Sequence, residues 1–170
     1  MTFYLGAHHP HWLERAPFPL FVSHRRLAAR RRRPRATTGW ALDSGGFTEL
    51  RLHGGWSTTP AEYVAAVRRY CDEIGSLERA APMDWMCEPF MITKTGLSIA
   101  AHQVRTVANY LELRSLAPDL PFVPVLQGWE RDDYLGEGVR PSCRYAGEAH
   151  VDTNFSLGRA GTLVTFEEVT

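Results

Sequence analysis

Two carboxylate-bearing stretches stand directly behind short apolar runs. One is Asp43-Ser44-Gly45-Gly46 after Trp40-Ala41-Leu42, and the other is Asp84, followed by Cys87 and Glu88, in AAPMDWMCEP. Carboxylates serve as general acids and bases, and two of them facing one cleft are the pair that glycoside hydrolysis uses, so Asp43 with Asp84 or Glu88 is one chemistry these residues allow. Gly45 and Gly46 fit a turn in which a ligand or a positive φ excludes a Cβ, and a flat ligand could lie against such a backbone. A third polar pair, Gln127-Gly128, closes the apolar run PFVPVLQ. Nearer the start, His9-x-His11 has the spacing that sets two imidazoles on one side of a strand, and His8, His24, His53 and His102 could complete a metal site for hydrolysis.

These residues need elements to hold them. Five short apolar runs bounded by Gly, Pro or charge read as strands: residues 3–7, 19–23, 40–44, 80–86 and 121–127. Between the third and fourth, Thr59 as N-cap, Pro60 at the first helical position and Glu62 at the capping-box position start a helix that stops at Gly75. Tyr63, Val64, Val67, Tyr70, Cys71 and Ile74 form its apolar stripe. A second helix spans residues 98–115, with Val104, Val107, Ala108 and Leu111 as its apolar face. Strand and helix in alternation predict an α/β fold with right-handed parallel crossovers, either doubly wound or part of a (β/α)8 barrel. In both, the functional edge is the C-terminal end of the strands, which is where Asp43, Asp84 and Gln127 fall.

The 170 residues carry no net formal charge, yet seven of the 19 Lys and Arg residues crowd into residues 23–35, SHRRLAARRRRPR, with no acid among them. A basic arm on an otherwise acidic body suits phosphate binding, and a solvated Arg-rich loop is the bland alternative. Arg25, Arg26, Arg31, Arg32 and Arg33 are the phosphate candidates. With 44% hydrophobic residues the chain can bury a core. No apolar run is long enough for a membrane span and no signal-peptide pattern opens the chain, so a cytoplasmic location is expected. Cys71, Cys87 and Cys143 are too scattered for a disulfide framework or a thiolate zinc site.

LDSGGF resembles the Asp-Ser-Gly-Gly-Phe signature of tRNA-guanine transglycosylases, and the order of MDWMCEP and VLQGW behind it is similar to that family's base-binding Asp and Gln-Gly segments. With FYLGAHHPHWL in front, the chain looks most like the deoxypurine in DNA protein A group, which inserts 7-deazaguanine bases into DNA. The resemblance covers residues 3–135. It implies a (β/α)8 barrel that exchanges a guanine-type base for a 7-deazapurine, with DNA favoured over tRNA. Asp43 would contact the base and serve in proton transfer, Asp84 would bond the purine's ring edge, and Gln127 and Gly128 its carbonyl, with Ser44, Gly45 and Gly46 lining the pocket. A carboxylate accepts ring N–H and amino donors, and an amide donates to a carbonyl, so these residue types suit the base.

Two departures bear on activity. Thr48 stands where the family has Gln, and the family's nucleophilic Asp, from a later strand, has only Asp152 in HVDTNF as a candidate. The family's late Cys/His zinc cluster is missing, so no cofactor is expected. A full barrel needs about 250 residues. The expectation is therefore a truncated or frame-shifted member, impaired by loss of the late-strand nucleophile: a partial barrel of about five strands over residues 1–135, then an irregular tail over 136–170, not homologous to the family, with at most the strand TLVTF; a compact five-stranded α/β domain, complete as it stands, is the alternative. A nucleic-acid-binding remnant without turnover is the non-catalytic alternative.

Overall fold

A computed structural model of the chain describes residues 2–135. Four parallel strands pair in chain order: β1 (Leu5–Ala7), β2 (Leu20–Ser23), β3 (Trp40–Asp43) and β4 (Leu77–Ala80). A 3-10 turn (Pro10–Glu14) follows β1, and α1 (His24–Ala28) follows β2. After β3 come α2 (Gly46–His53) and α3 (Pro60–Glu73), and after β4 come α4 (Pro89–Thr95), α5 (Ile99–Leu116) and α6 (Arg131–Leu135). Asp152, Cys143 and the TLVTF segment lie outside the described residues.

Register decides which side chains share a face. Leu5, Leu20, Trp40 and Leu77 stand abreast, as do Ala7, Val22, Leu42 and Ala80. All of these but the exposed Leu5 join the core with Tyr63, Val67, Tyr70 and Ile74 of α3 and Leu113 of α5. The helix layer therefore covers one face. With its strands in chain order and no reversal, the described sheet is not doubly wound. It also curls. Tyr4 donates to a Glu78 carboxylate oxygen at 2.7 Å, joining the two outer strands, which a flat sheet would hold about 14 Å apart. Tyr4, Glu78 and Phe122 help line an open hollow of about 400 Å³.

The long helix α3 forms for the reasons its sequence announces. Thr59 Oγ1 accepts the Glu62 amide at 3.3 Å, Glu62 accepts the Thr59 amide at 2.8 Å, and Pro60 fills the first turn. Gly75 ends it with φ 76°. Its expected stripe is buried, with Cys71 half-buried at the margin. Helix α5 keeps its expected span but not its expected face: Val104, Ala108 and Leu111 are exposed, and His102, Thr106 and Leu113 are buried instead. The polar pair is satisfied there. His102 donates from Nδ1 to the Met86 carbonyl (2.6 Å) and its Nε2 meets Thr95 Oγ1 (2.7 Å), while Thr106 Oγ1 accepts the Trp85 amide (2.8 Å).

Two strands differ from expectation. The fourth lies at Leu77–Ala80 rather than 80–86, because a register irregularity beside Trp40 and Ala41 places Leu77 and Ala80 on the same face three residues apart, which erases the period of two. Residues 81–88 are the loop beyond it, buried as far as Met83, whose carbonyl accepts from Asn109 at 2.6 Å. The fifth run pairs with β4 at a single parallel bridge, Ala80 with Phe122. Pro121 and Pro124 on either side have no N–H to extend the ladder. Among the described residues no helix is long and apolar enough to cross a membrane.

Candidate functional site

Three residues expected at strand ends meet beyond β3 and β4. Ser44, 1% exposed, donates from Oγ to Asp84 Oδ1 at 2.8 Å and accepts the Gly46 amide at 3.3 Å. Gln127 donates from Nε2 to Asp84 Oδ2 at 2.7 Å. Among the described residues, each carboxylate oxygen of Asp84 thus has one neutral side-chain donor and no cation. Burial raises its pKa to about 6; the Ser44 hydrogen bond opposes that rise, and the neighbouring Asp43 and Glu88 carboxylates add to it. A carboxyl group so placed changes protonation state close to neutrality.

Asp43 is at the same edge, and its Oδ1 accepts the Gly45 amide at 3.1 Å. Gly45 is left-handed, φ 81°, where it caps α2, so one of the two glycines answers to backbone conformation. The other answers to packing. A Cβ on Gly46 would meet Met86 Cε and Trp56 Cζ2 at 2.9 Å and the Asp84 carbonyl at 3.1 Å. Gly46 is thus closed off by the protein's own groups, where a ligand against its backbone was expected. Gly128 is packed likewise: Tyr134 donates to its carbonyl at 2.7 Å, and a Cβ there would meet Asp133 Cβ at 2.8 Å.

The supporting residues gave no signal in the sequence. Trp56 donates from its indole to the Asp84 carbonyl at 3.2 Å. Gln103 on α5 donates to the carbonyls of Gln127 (2.8 Å) and Asp133 (2.9 Å), tying the Gln127 backbone to a helix. Oε2 of Glu88 is buried with no hydrogen-bond partner among the described residues. Cys87 is buried beside these acids, which pushes its thiol up to about 12, burial being the main cause. It is not a nucleophile in that state.

The arginines divide. Arg25, Arg26, Arg31 and Arg32 are exposed. Arg33 is not part of a free arm: its side chain is 4% exposed, pairs with Glu73 at 2.6 Å and lies over the Tyr70 ring at 5.3 Å. Arg35 likewise donates to the carbonyl of Asp72 at 2.7 Å. The open carbonyls and acids at the C-terminal end of α3 attract these two guanidinium groups.

A family model described as DpdA, DeoxyPurine in DNA protein A, matches residues 1–157. The chain belongs to the DpdA family. No curated protein and no solved structure matches it. The DpdA match spans Asp43, Ser44, Asp84, Gln127 and the arginine stretch, and it runs on past residue 135 to include Asp152.

Among the described residues of this DpdA chain the histidines do not assemble as a metal site. β1 ends at Ala7, so His9 caps the 3-10 turn and His11 lies within it, neither on a strand; their rings stack at 5.6 Å and do not converge edge-on. His24 is taken up in the interior, with Nδ1 at 3.0 Å from the Tyr70 hydroxyl, and burial lowers its pKa. His102 is fully buried and bonded at both nitrogens. Among the described residues no group of three His, Cys, Asp or Glu side chains could hold a metal ion.

Proposed function

We propose that the chain exchanges a guanine-type base of DNA for a 7-deazapurine by transglycosylation. The observation that carries the reading is the Ser44–Asp84–Gln127 cluster in a member of the DpdA family. Here Gln127 and Asp84 satisfy each other. An incoming purine replaces each partner in kind: the Gln127 amide turns its N–H to the base carbonyl, and the freed Asp84 oxygen accepts a ring N–H. Neither Asp84 nor Gln127 is stranded in either state, and the base is selected by its donor and acceptor pattern. Asp43, at the same edge, serves in proton transfer. The covalent sugar intermediate implied by resemblance to the transglycosylases needs a further carboxylate, for which Asp152 is the candidate.

The one-sided helix layer and the curl that joins Tyr4 to Glu78 support an arc of a (β/α)8 barrel as the scaffold. The target nucleotide has to leave its stack to reach such a pocket, with Arg25, Arg26, Arg31 and Arg32 on the flanking phosphates. The test is incorporation of labelled guanine or 7-deazaguanine into duplex DNA, with tRNA in parallel and Asp43→Ala and Asp84→Asn as controls. Incorporation into DNA that both substitutions abolish is the expected result. Incorporation into tRNA alone would overturn the choice of substrate. No incorporation by a folded chain would sink the exchange reading and leave a protein that at most binds.

A further inference from the structure

Beyond β1 the chain builds a row of aromatic rings that the base pocket does not use. His9 and His11 stack at 5.6 Å, and His11 and Trp12 at 5.5 Å, each pair 29° from parallel; His8 meets His9 edge-on at 5.0 Å. The row is held from below. Pro10 and Leu13 are buried, the Trp12 amide donates to the His9 carbonyl at 3.1 Å, and the Trp12 carbonyl accepts from Arg15 and Ala16. His8 and His9 are exposed, His11 is half-buried and Trp12 is 48% exposed.

This row adjoins the basic one. Arg26 donates to His8 Nδ1 at 3.2 Å, and Arg25, one residue earlier, lies over Gly45 beside Asp43. The only acid in the turn, Glu14, is already beside Arg15 at 3.9 Å. Because Ala7, Val22 and Leu42 are in register, His8 and Asp43 leave the sheet at one level, two strands apart. That separation is about 10 Å. Flat unsaturated rings beside guanidinium groups have the make-up of a surface on which bases stack while phosphates are neutralised.

We propose that Trp12, the open end of this row, forms with Arg25 and Arg26 a stacking surface for the bases of the DNA strand that are unpaired beside the base in the pocket. The inference rests on the DNA reading above and adds the surface by which that strand is held. Stacking is indifferent to sequence, so the platform supplies affinity and direction while base choice stays with Asp84 and Gln127.

The test is anisotropy of a fluorescein-labelled, mixed-sequence single-stranded DNA, titrated with the full chain over a range of salt concentrations. Trp12→Ala should weaken binding between about fivefold and a hundredfold without changing the salt slope, and Trp12→Phe should recover most of it. Arg26→Gln should instead lower the slope by about one. Wild-type affinity in a Trp12→Ala protein with an unchanged circular dichroism spectrum would overturn the platform and leave the base-exchange reading intact. Tighter binding of RNA of the same sequence would overturn the assignment to DNA. A wild-type chain that binds no DNA would remove the reading on which the platform rests.

Discussion

Replacing Asp84 by asparagine removes a charge from a place where it is poorly solvated, and the effect on stability has a definite sign. The folded chain holds the Asp84 proton up to about pH 6, against an ordinary value of 3.8. Each pH unit of such a difference is worth 1.36 kcal/mol, so the ionised form costs the fold roughly 3 kcal/mol relative to the protonated one. A raised folded-state pKa means that stability is fully present below pH 3.8 and is lost as pH rises through about 6. Asparagine has no such dependence. Its oxygen can accept from Ser44, and the Gln127 amide can turn over to accept from its nitrogen, so both hydrogen bonds survive in altered form. Urea unfolding of wild type and Asp84→Asn between pH 4 and pH 8 reads the difference directly. Their stability gap should move by about 2.5 kcal/mol in favour of the variant, most of it between pH 4 and pH 6. Because His24 and His102 are the same in both proteins, their contributions cancel in the gap. A gap that stays constant across this range, or moves against the variant, would refute the view that Asp84 is a desolvated acid kept for chemistry at a cost in stability.

Gly46→Ala places a methyl group against Met86, Trp56 and the Asp84 carbonyl; a loss of about 1–3 kcal/mol in urea unfolding is expected, and an unchanged midpoint would show that the α2 junction yields easily. Arg33→Ala should cost about 1–2 kcal/mol of stability through lost packing on Tyr70 and the lost Glu73 pair, and should leave the salt slope of DNA binding unchanged. Arg31→Ala should do the reverse, lowering that slope by about one with little change in stability.

Where local signals and tertiary contacts agree, the structure is legible in the sequence. Helix α3 needs only Thr59, Pro60, Glu62 and Gly75 to define its ends, and its stripe packs as spaced. Helix α5 misleads because hydrogen bonding, not hydrophobicity, chooses its buried face: His102 and Thr106 enter to satisfy the loop that carries Asp84, and Val104 and Leu111 stay outside. β4 is hidden by an irregular register, α2 and α4 by being short, and Arg33 by a partner forty residues away. The cluster itself was reachable. Ser44, Asp84 and Gln127 are separated by some forty residues each, and only the rule that strand ends share one edge brings them together before coordinates do. The residues that hold them, Trp56 and Gln103, have no such rule.

The alternation along β3 ties assembly to chemistry. Trp40 and Leu42 point into the helix layer, and Ala41 and Asp43 alternate with them on the other face, Asp43 abreast of Ser23. A slip of one residue would turn Asp43 into the core and expel Trp40, so a chain with a misregistered third strand loses its largest buried side chain along with its acid. Correct folding and a presented carboxylate are then a single event.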